Sequence, residues 1–140
     1  MKPKKEPLPE PEEEAVPGME PFNAVCSSIR HGIANAKNIE EIKHAGSTLL
    51  EFRNECEADG LYKIPGTIMA VNLLFEKWYM KRIELSSSLE EHSALELNFA
   101  GPKGKLLQET LGPETFARIT HYWREVGKKW IPEQEVVELV

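Results

Sequence analysis

YKIPGTIMAVNLLFEKWYMKRIEL, residues 62–85, decides the fold. Pro65 suits a first helical turn, and the residues behind it are apolar around most of the helix circumference. At about 100° per residue, Ile68, Met69, Val71, Leu73, Leu74, Phe75, Trp78, Tyr79, Met80 and Ile83 cover well over half the circle. Only Lys77, Lys81 and Glu84 make a coherent wet face. A helix this apolar must be surrounded, so the segment is read as the central helix of an all-α domain. Its apolar surface is wider than two flanking neighbours cover, which points to self-association. Two polar residues, Asn72 and Glu76, fall inside the apolar arc one turn apart, where an unpaired carboxylate is costly. Either they form a polar site or a register-setting contact in a helical interface, or Glu76 bends out to solvent at the edge of the arc. Asn72, Glu76, Trp78 and Tyr79 are therefore the candidate interface or polar site.

Working back from this helix, Phe22, Val25, Cys26, Ile29, Ile33 and Ala36 recur at spacings of three and four and predict a first helix. Asn38 followed by Glu41 is a capping-box arrangement, which starts a second helix with a stripe of Ile42, Ala45, Leu49, Phe52 and Cys56. Asp59-Gly60 ends it, since glycine accepts the left-handed cap conformation. The two helices form a hairpin. In that hairpin Cys56 lies roughly 9 Å beyond the level of Cys26, and a disulfide needs Cα atoms within about 7 Å, so both cysteines are expected to stay thiols.

Working forward, Ser88-Leu89-Glu90-Glu91 repeats the capping signature and predicts a helix over 89–99. Ala100-Gly101-Pro102-Lys103-Gly104-Lys105 reads as a loop, followed by a short helix over 105–111. Gly112-Pro113 breaks the chain again, and Phe116, Ile119, Trp123, Val126 and Trp130 make the seam of a last helix ended by Ile131-Pro132.

Residues 1–21 hold six of the ten prolines and six glutamates, with almost no large apolar side chains. Proline removes backbone donors and like charges repel, so the stretch is expected to be a disordered tail dispensable for folding. The expected organisation is a tail over 1–21, a helical domain over 22–132 and a terminal segment over 133–140 whose form the pattern leaves undecided. The architecture is an irregular bundle of about five helices around the central hydrophobic one.

Chemistry is poorly represented. His31, His44, His92 and His121 lie in separate segments without a paired zinc motif, and the single E-x-x-H element, Glu41 with His44, lacks further ligands. Neither cysteine belongs to a C-x-x-C pair. The glycines of 100–105 lack the spacing of a phosphate loop, and the serines at 27, 28, 47 and 86–88 sit in helices or caps and in no nucleophile elbow. No cofactor, metal or catalytic residue is expected. No membrane span or signal-peptide core occurs, and two cysteines suit a reducing compartment, so a cytoplasmic protein is expected.

The leading expectation is a non-catalytic interaction protein, an adaptor, subunit or regulator of a larger assembly, that associates with itself or a protein partner. The alternative is a nucleic-acid-binding accessory subunit of a phage, mobile-element or defence system. It rests on the last helix, where Arg118, His121, Arg124 and Lys128 share a flank that Lys129, Lys103 and Lys105 extend and where Tyr122 and Trp130 offer stacking surfaces. A net charge of −6 opposes it.

Overall fold

A computed structural model describes residues 15–130. The first fourteen residues of the expected tail and the segment 133–140 lie outside the described residues, as does the Ile131-Pro132 stop. Among the described residues the chain is all-α with no strand. Its helices are α1 (Glu20–Asn35), α2 (Ile39–Ala58), α3 (Thr67–Leu85), α4 (Leu89–Ser93), α5 (Glu96–Phe99), α6 (Gly101–Leu111) and α7 (Pro113–Gly127), with a 3-10 turn at Leu61–Lys63. Five of them have eleven residues or more, which is the expected bundle; the other two are single turns.

The helix starts follow from local hydrogen-bond bookkeeping. Asn38 Oδ1 accepts from the Glu41 amide at 2.9 Å, while Glu41 Oε1 accepts from the Lys37 amide at 2.7 Å. Ser88 and Glu91 repeat this device, with Ser88 Oγ accepting from the Glu91 amide at 3.1 Å and Glu91 Oε1 accepting from the Ser87 amide at 2.8 Å. In both, the glutamate reaches one residue further back than a capping box does, and two orphan donors are satisfied. Gly60, at φ 73°, ends α2 in the left-handed conformation.

Some boundaries differ from the sequence reading. α3 begins at Thr67 and not before Pro65, because the Thr67 hydroxyl donates to the Leu61 and Ile64 carbonyls at 2.7 and 2.9 Å and ties the 3-10 turn to the helix start. The expected helix over 89–99 is two separate turns. The 100–105 stretch is no loop: it is the first turn of α6, where the missing Pro102 amide leaves no donor unpaired. Order also starts earlier than residue 22. Val16 is buried, and its amide and carbonyl both bond the Asn23 side chain at 2.9 Å, so a deletion through Pro21 removes a core residue.

Two cores share α3. The first joins Phe22, Cys26, Ile29 and Ile33 of α1, Ile42, Ala45, Leu49 and Cys56 of α2, and Ala70, Val71 and Leu74 of α3. The second joins Tyr79 and Ile83 of α3 to Leu95, Leu111 and Ile119. Phe75 and Trp78 pack against both. The expected stripes of α1 and α2 point inward except for Val25, which is exposed, and Phe52, which is half-buried. Cys26 and Cys56 are free and buried, as expected.

Trp78 reaches across to α2, where its indole N–H donates to the Ile42 carbonyl at 2.6 Å. That approach requires Gly46: a Cβ there would stand 2.7 Å from Trp78 Nε1 and 2.9 Å from Cε2. Gly46→Ala is therefore expected to destabilise the protein by about 1–3 kcal/mol, the range of overpacked cores. Gly32→Ala, whose Cβ meets nothing within 4 Å on α1, should stabilise it by roughly 0.5–1 kcal/mol. Urea unfolding of both variants checks the pair, and equal effects would contradict the packing described.

Candidate functional site

α3 packs against α1, α2 and α7. α1 and α2 take Ala70, Val71 and Leu74, and the second core takes Tyr79 and Ile83. The corner between α6 and α7 lies over the middle of α3, at Asn72 and Glu76, and among the described residues no helix covers the face around Ile68 and Met69 at its start. Ile68 is 47% exposed and Met69 69%. They border a groove of about 410 Å³, also lined by Leu73, Leu111, Asn72, Glu76 and Thr115.

The two polar residues in the apolar arc turn out to hold that corner. Asn72 Nδ2 donates to the Thr110 carbonyl at 3.1 Å, a group in the last turn of α6 where carbonyls lack helical partners. Glu76 accepts twice from Arg118, from Nε at 2.9 Å and Nη2 at 3.0 Å, and Arg118 Nη2 also meets Thr115 Oγ1 at 3.1 Å. This fork holds the guanidinium pKa above its ordinary value, chiefly through the hydrogen bonds it donates to Glu76 and then through that carboxylate's charge. Glu76 is 15% exposed in its side chain, so it neither stands unpaired nor bends out to solvent. Trp78 and Tyr79 are correspondingly removed from the expected interface: Trp78 is bonded to α2, and Tyr79 is buried edge-on against it with ring centroids 4.9 Å apart.

The basic flank of α7 is interrupted. Arg118 is bound to Glu76, and Lys128 lies 3.2 Å from Glu125. Lys129 Nζ sits 4.9 Å above the Trp130 ring, and Tyr122 packs partly buried against the second core with its hydroxyl donating to Glu84 at 3.1 Å, so neither aromatic is a fully open stacking platform. His121, Arg124, Lys103 and Lys105 are exposed. Glu41 and His44 line a cleft of about 530 Å³ between α1 and α2, but among the described residues no three His, Cys, Asp or Glu side chains are grouped to hold a metal ion.

A buried polar cluster had no marker in the sequence. Arg82 is 6% exposed and donates to Ser86 Oγ at 2.7 Å and to the Glu91 carbonyl at 2.9 Å, tying the end of α3 to α4. Beside it His92 is buried, stacked on Trp123 at 4.9 Å and 6°, and its carbonyl accepts from Trp123 Nε1 at 2.9 Å. His92 Nε2 lies where a Cβ on Gly127 would come within 2.6 Å, and its buried Nδ1 has no hydrogen-bond partner among the described residues. An isolated histidine and an isolated arginine carry no periodic signal, so only the folded contacts reveal them.

None of the family models, curated proteins or solved structures with which the chain was compared matches it. No helix among the described residues is long and apolar enough to cross a membrane.

Burial pushes the His92 pKa down, and the charges of Arg82 and Lys129 add to this, against a hydrogen bond to the Trp123 backbone. A histidine kept neutral in the fold binds fewer protons than in the unfolded chain, so stability is full above about pH 6.5 and falls as pH drops through the window below it. Denaturant unfolding from pH 8 to 5 should show this decline, and His92→Gln should flatten it. An unchanged slope in the variant would assign the effect elsewhere. Separately, a double-mutant cycle on Glu76 and Arg118 should give a coupling of no more than about 1 kcal/mol, because Arg118 is half-exposed and solvent screens the pair.

Proposed function

We propose that the chain is a non-catalytic interaction protein, an adaptor, subunit or regulator of a larger assembly, which self-associates through the open face of α3. One observation carries this reading: Ile68 and Met69, side by side at the start of the most apolar helix, are 47% and 69% exposed beside a groove lined by Leu73 and Leu111. Apolar side chains with polar neighbours at the rim are the anatomy of a protein contact. A two-fold interface uses every side chain twice, so four such side chains supply on the order of 4–8 kcal/mol, of which the cost of association, at least about 4 kcal/mol, leaves a weak, reversible contact near millimolar concentration. Two free, buried thiols suit a reducing, cytoplasmic setting.

The nucleic-acid reading gains no support from geometry, since Arg118 and Lys128 face carboxylates within the same chain. Five exposed side chains, Lys103, Lys105, His121, Arg124 and Lys129, remain for it.

Light scattering of the full chain should give a mass that rises above 15.9 kDa as the concentration approaches about 1 mM. Ile68→Glu with Met69→Glu should hold the monomer mass with the helical signal unchanged, because both side chains face water. A parent that stays monomeric at that concentration removes self-association from the reading.

A further inference from the structure

We propose that a second surface, the cleft between α2 and α6 floored by α3, docks an amphipathic helix of a protein partner whose apolar stripe is flanked by carboxylates. This rests on the interaction-protein reading and names the chemistry of a partner at a place distinct from Ile68 and Met69.

The cleft has a volume of about 360 Å³. Phe75 and the buried Tyr79 line it from α3, and Leu50 of α2 and Leu106 of α6 stand at its sides, 51% and 64% exposed. Each exposed leucine neighbours one turned inward, Leu49 in the first core and Leu107 against the second, so the outward pair belongs to neither core. A small solute in the cleft would leave these leucines wet. A helix, about 10 Å wide with its side chains, covers both and inserts anchors at i, i+3 or i+4, and i+7.

Charge selects the kind of helix. The chain carries 23 acidic against 17 basic side chains, yet the charged residues lining this cleft, Arg53 and Lys103, are both cations. Arg53 has a 3.5 Å contact with Glu57 and a hydrogen bond to Asn54, an exposed pairing that an incoming carboxylate can replace. Lys103 has no carboxylate partner among the described residues. A partner with glutamates or aspartates on both sides of its apolar stripe therefore meets complementary charge. A nucleic acid fits less well. Tyr79 is buried and packed perpendicular to Trp78, so it offers little open surface to a base, and two cations track few phosphates.

The test uses the full chain and two fluorescent helical peptides of roughly eighteen residues, with leucines at the anchor spacing and either glutamates or lysines beside the stripe. The glutamate peptide should bind about three to ten times more tightly than the lysine peptide at low salt, the effect of two screened pairs. Arg53→Gln with Lys103→Gln should erase that preference, and Leu106→Asp should weaken both peptides by about tenfold or more. Should Leu106→Asp lose helical signal, Leu50→Gln at the opposite side gives the same readout. Ile68→Glu with Met69→Glu should leave peptide binding unchanged. Equal affinity for both peptides, indifference to Leu106→Asp and Leu50→Gln, or an RNA oligomer that displaces the glutamate peptide would overturn the proposal. So would self-association abolished by Leu106→Asp, because a second copy would then fill the cleft. If the peptides fail while mass still rises with concentration through Ile68 and Met69, the docking proposal falls alone; if both fail, the interaction reading falls with it.

Discussion

The bundle depends on one helix serving two cores at once, and Phe75 and Trp78, which pack against both, are where the two meet. Consecutive residues on a helix point about 100° apart, so Trp78 can reach α2 while Tyr79 turns toward α5. The first ends on the Ile42 carbonyl, and the second lies 5.7 Å from Phe99. Phe99 in turn meets Phe116 at 6.3 Å and Trp123 at 5.4 Å, and Trp123 stacks on His92. A continuous run of rings thus links Trp78 of α3 to Trp123 of α7 and His92 of α4. Each ring pair is worth about 0.5–1.5 kcal/mol beyond its burial, so losing any link would be felt in both cores. Gly46 is the condition for the first link, since any side chain there would push the indole away.

Apolar burial is non-directional and does not by itself say how far α6 slides along α3. The polar contacts do. Asn72 on the Thr110 carbonyl and Glu76 on Arg118 set that position from two adjacent turns, each a contact spanning more than thirty residues of chain. Arg82 does the same between α3 and α4 with neutral acceptors. A buried guanidinium is expensive even when bonded, and its two hydrogen bonds are what make the site tolerable. The open surfaces at Ile68–Met69 and at Leu50–Leu106 are therefore held in place by the same contacts that close the corners.

The elements whose signal is local were legible in the sequence. The stripes of α1 and α2, the caps at Asn38 and Ser88 and the stop at Gly60 all depend on residues within one turn of each other, and the folded chain uses them so. Where burial and propensity compete, the reading went astray. Periodicity made Ile68 and Met69 part of the apolar arc without saying which part of the arc has a neighbour, and Val25 belongs to a stripe wider than the contact it makes. The glycines at 101 and 104 argued for a loop by propensity, whereas Pro102 in a first turn permits a helix that packing then completes. Asn72 and Glu76 were visibly out of place, yet their partners sit on other helices and no local spacing points to them.

The last helix shows why a charge stripe on paper overstates a charged surface. Spacing places Arg118, His121, Arg124 and Lys128 on one flank, but each long side chain answers to what the fold brings near it. Arg118 finds a carboxylate of α3 inside the protein, and Lys128 finds Glu125 on its own helix, so their fields largely cancel a few ångströms away. The cleft of Arg53 and Lys103 has the opposite history. Its two cations come from helices far apart in sequence, no periodicity joins them, and they share an apolar hollow only because α2 and α6 flank the same stretch of α3. Electrostatic meaning in this protein is thus a property of the packing around α3, and the surfaces proposed for a partner are the ones left uncovered beside that helix.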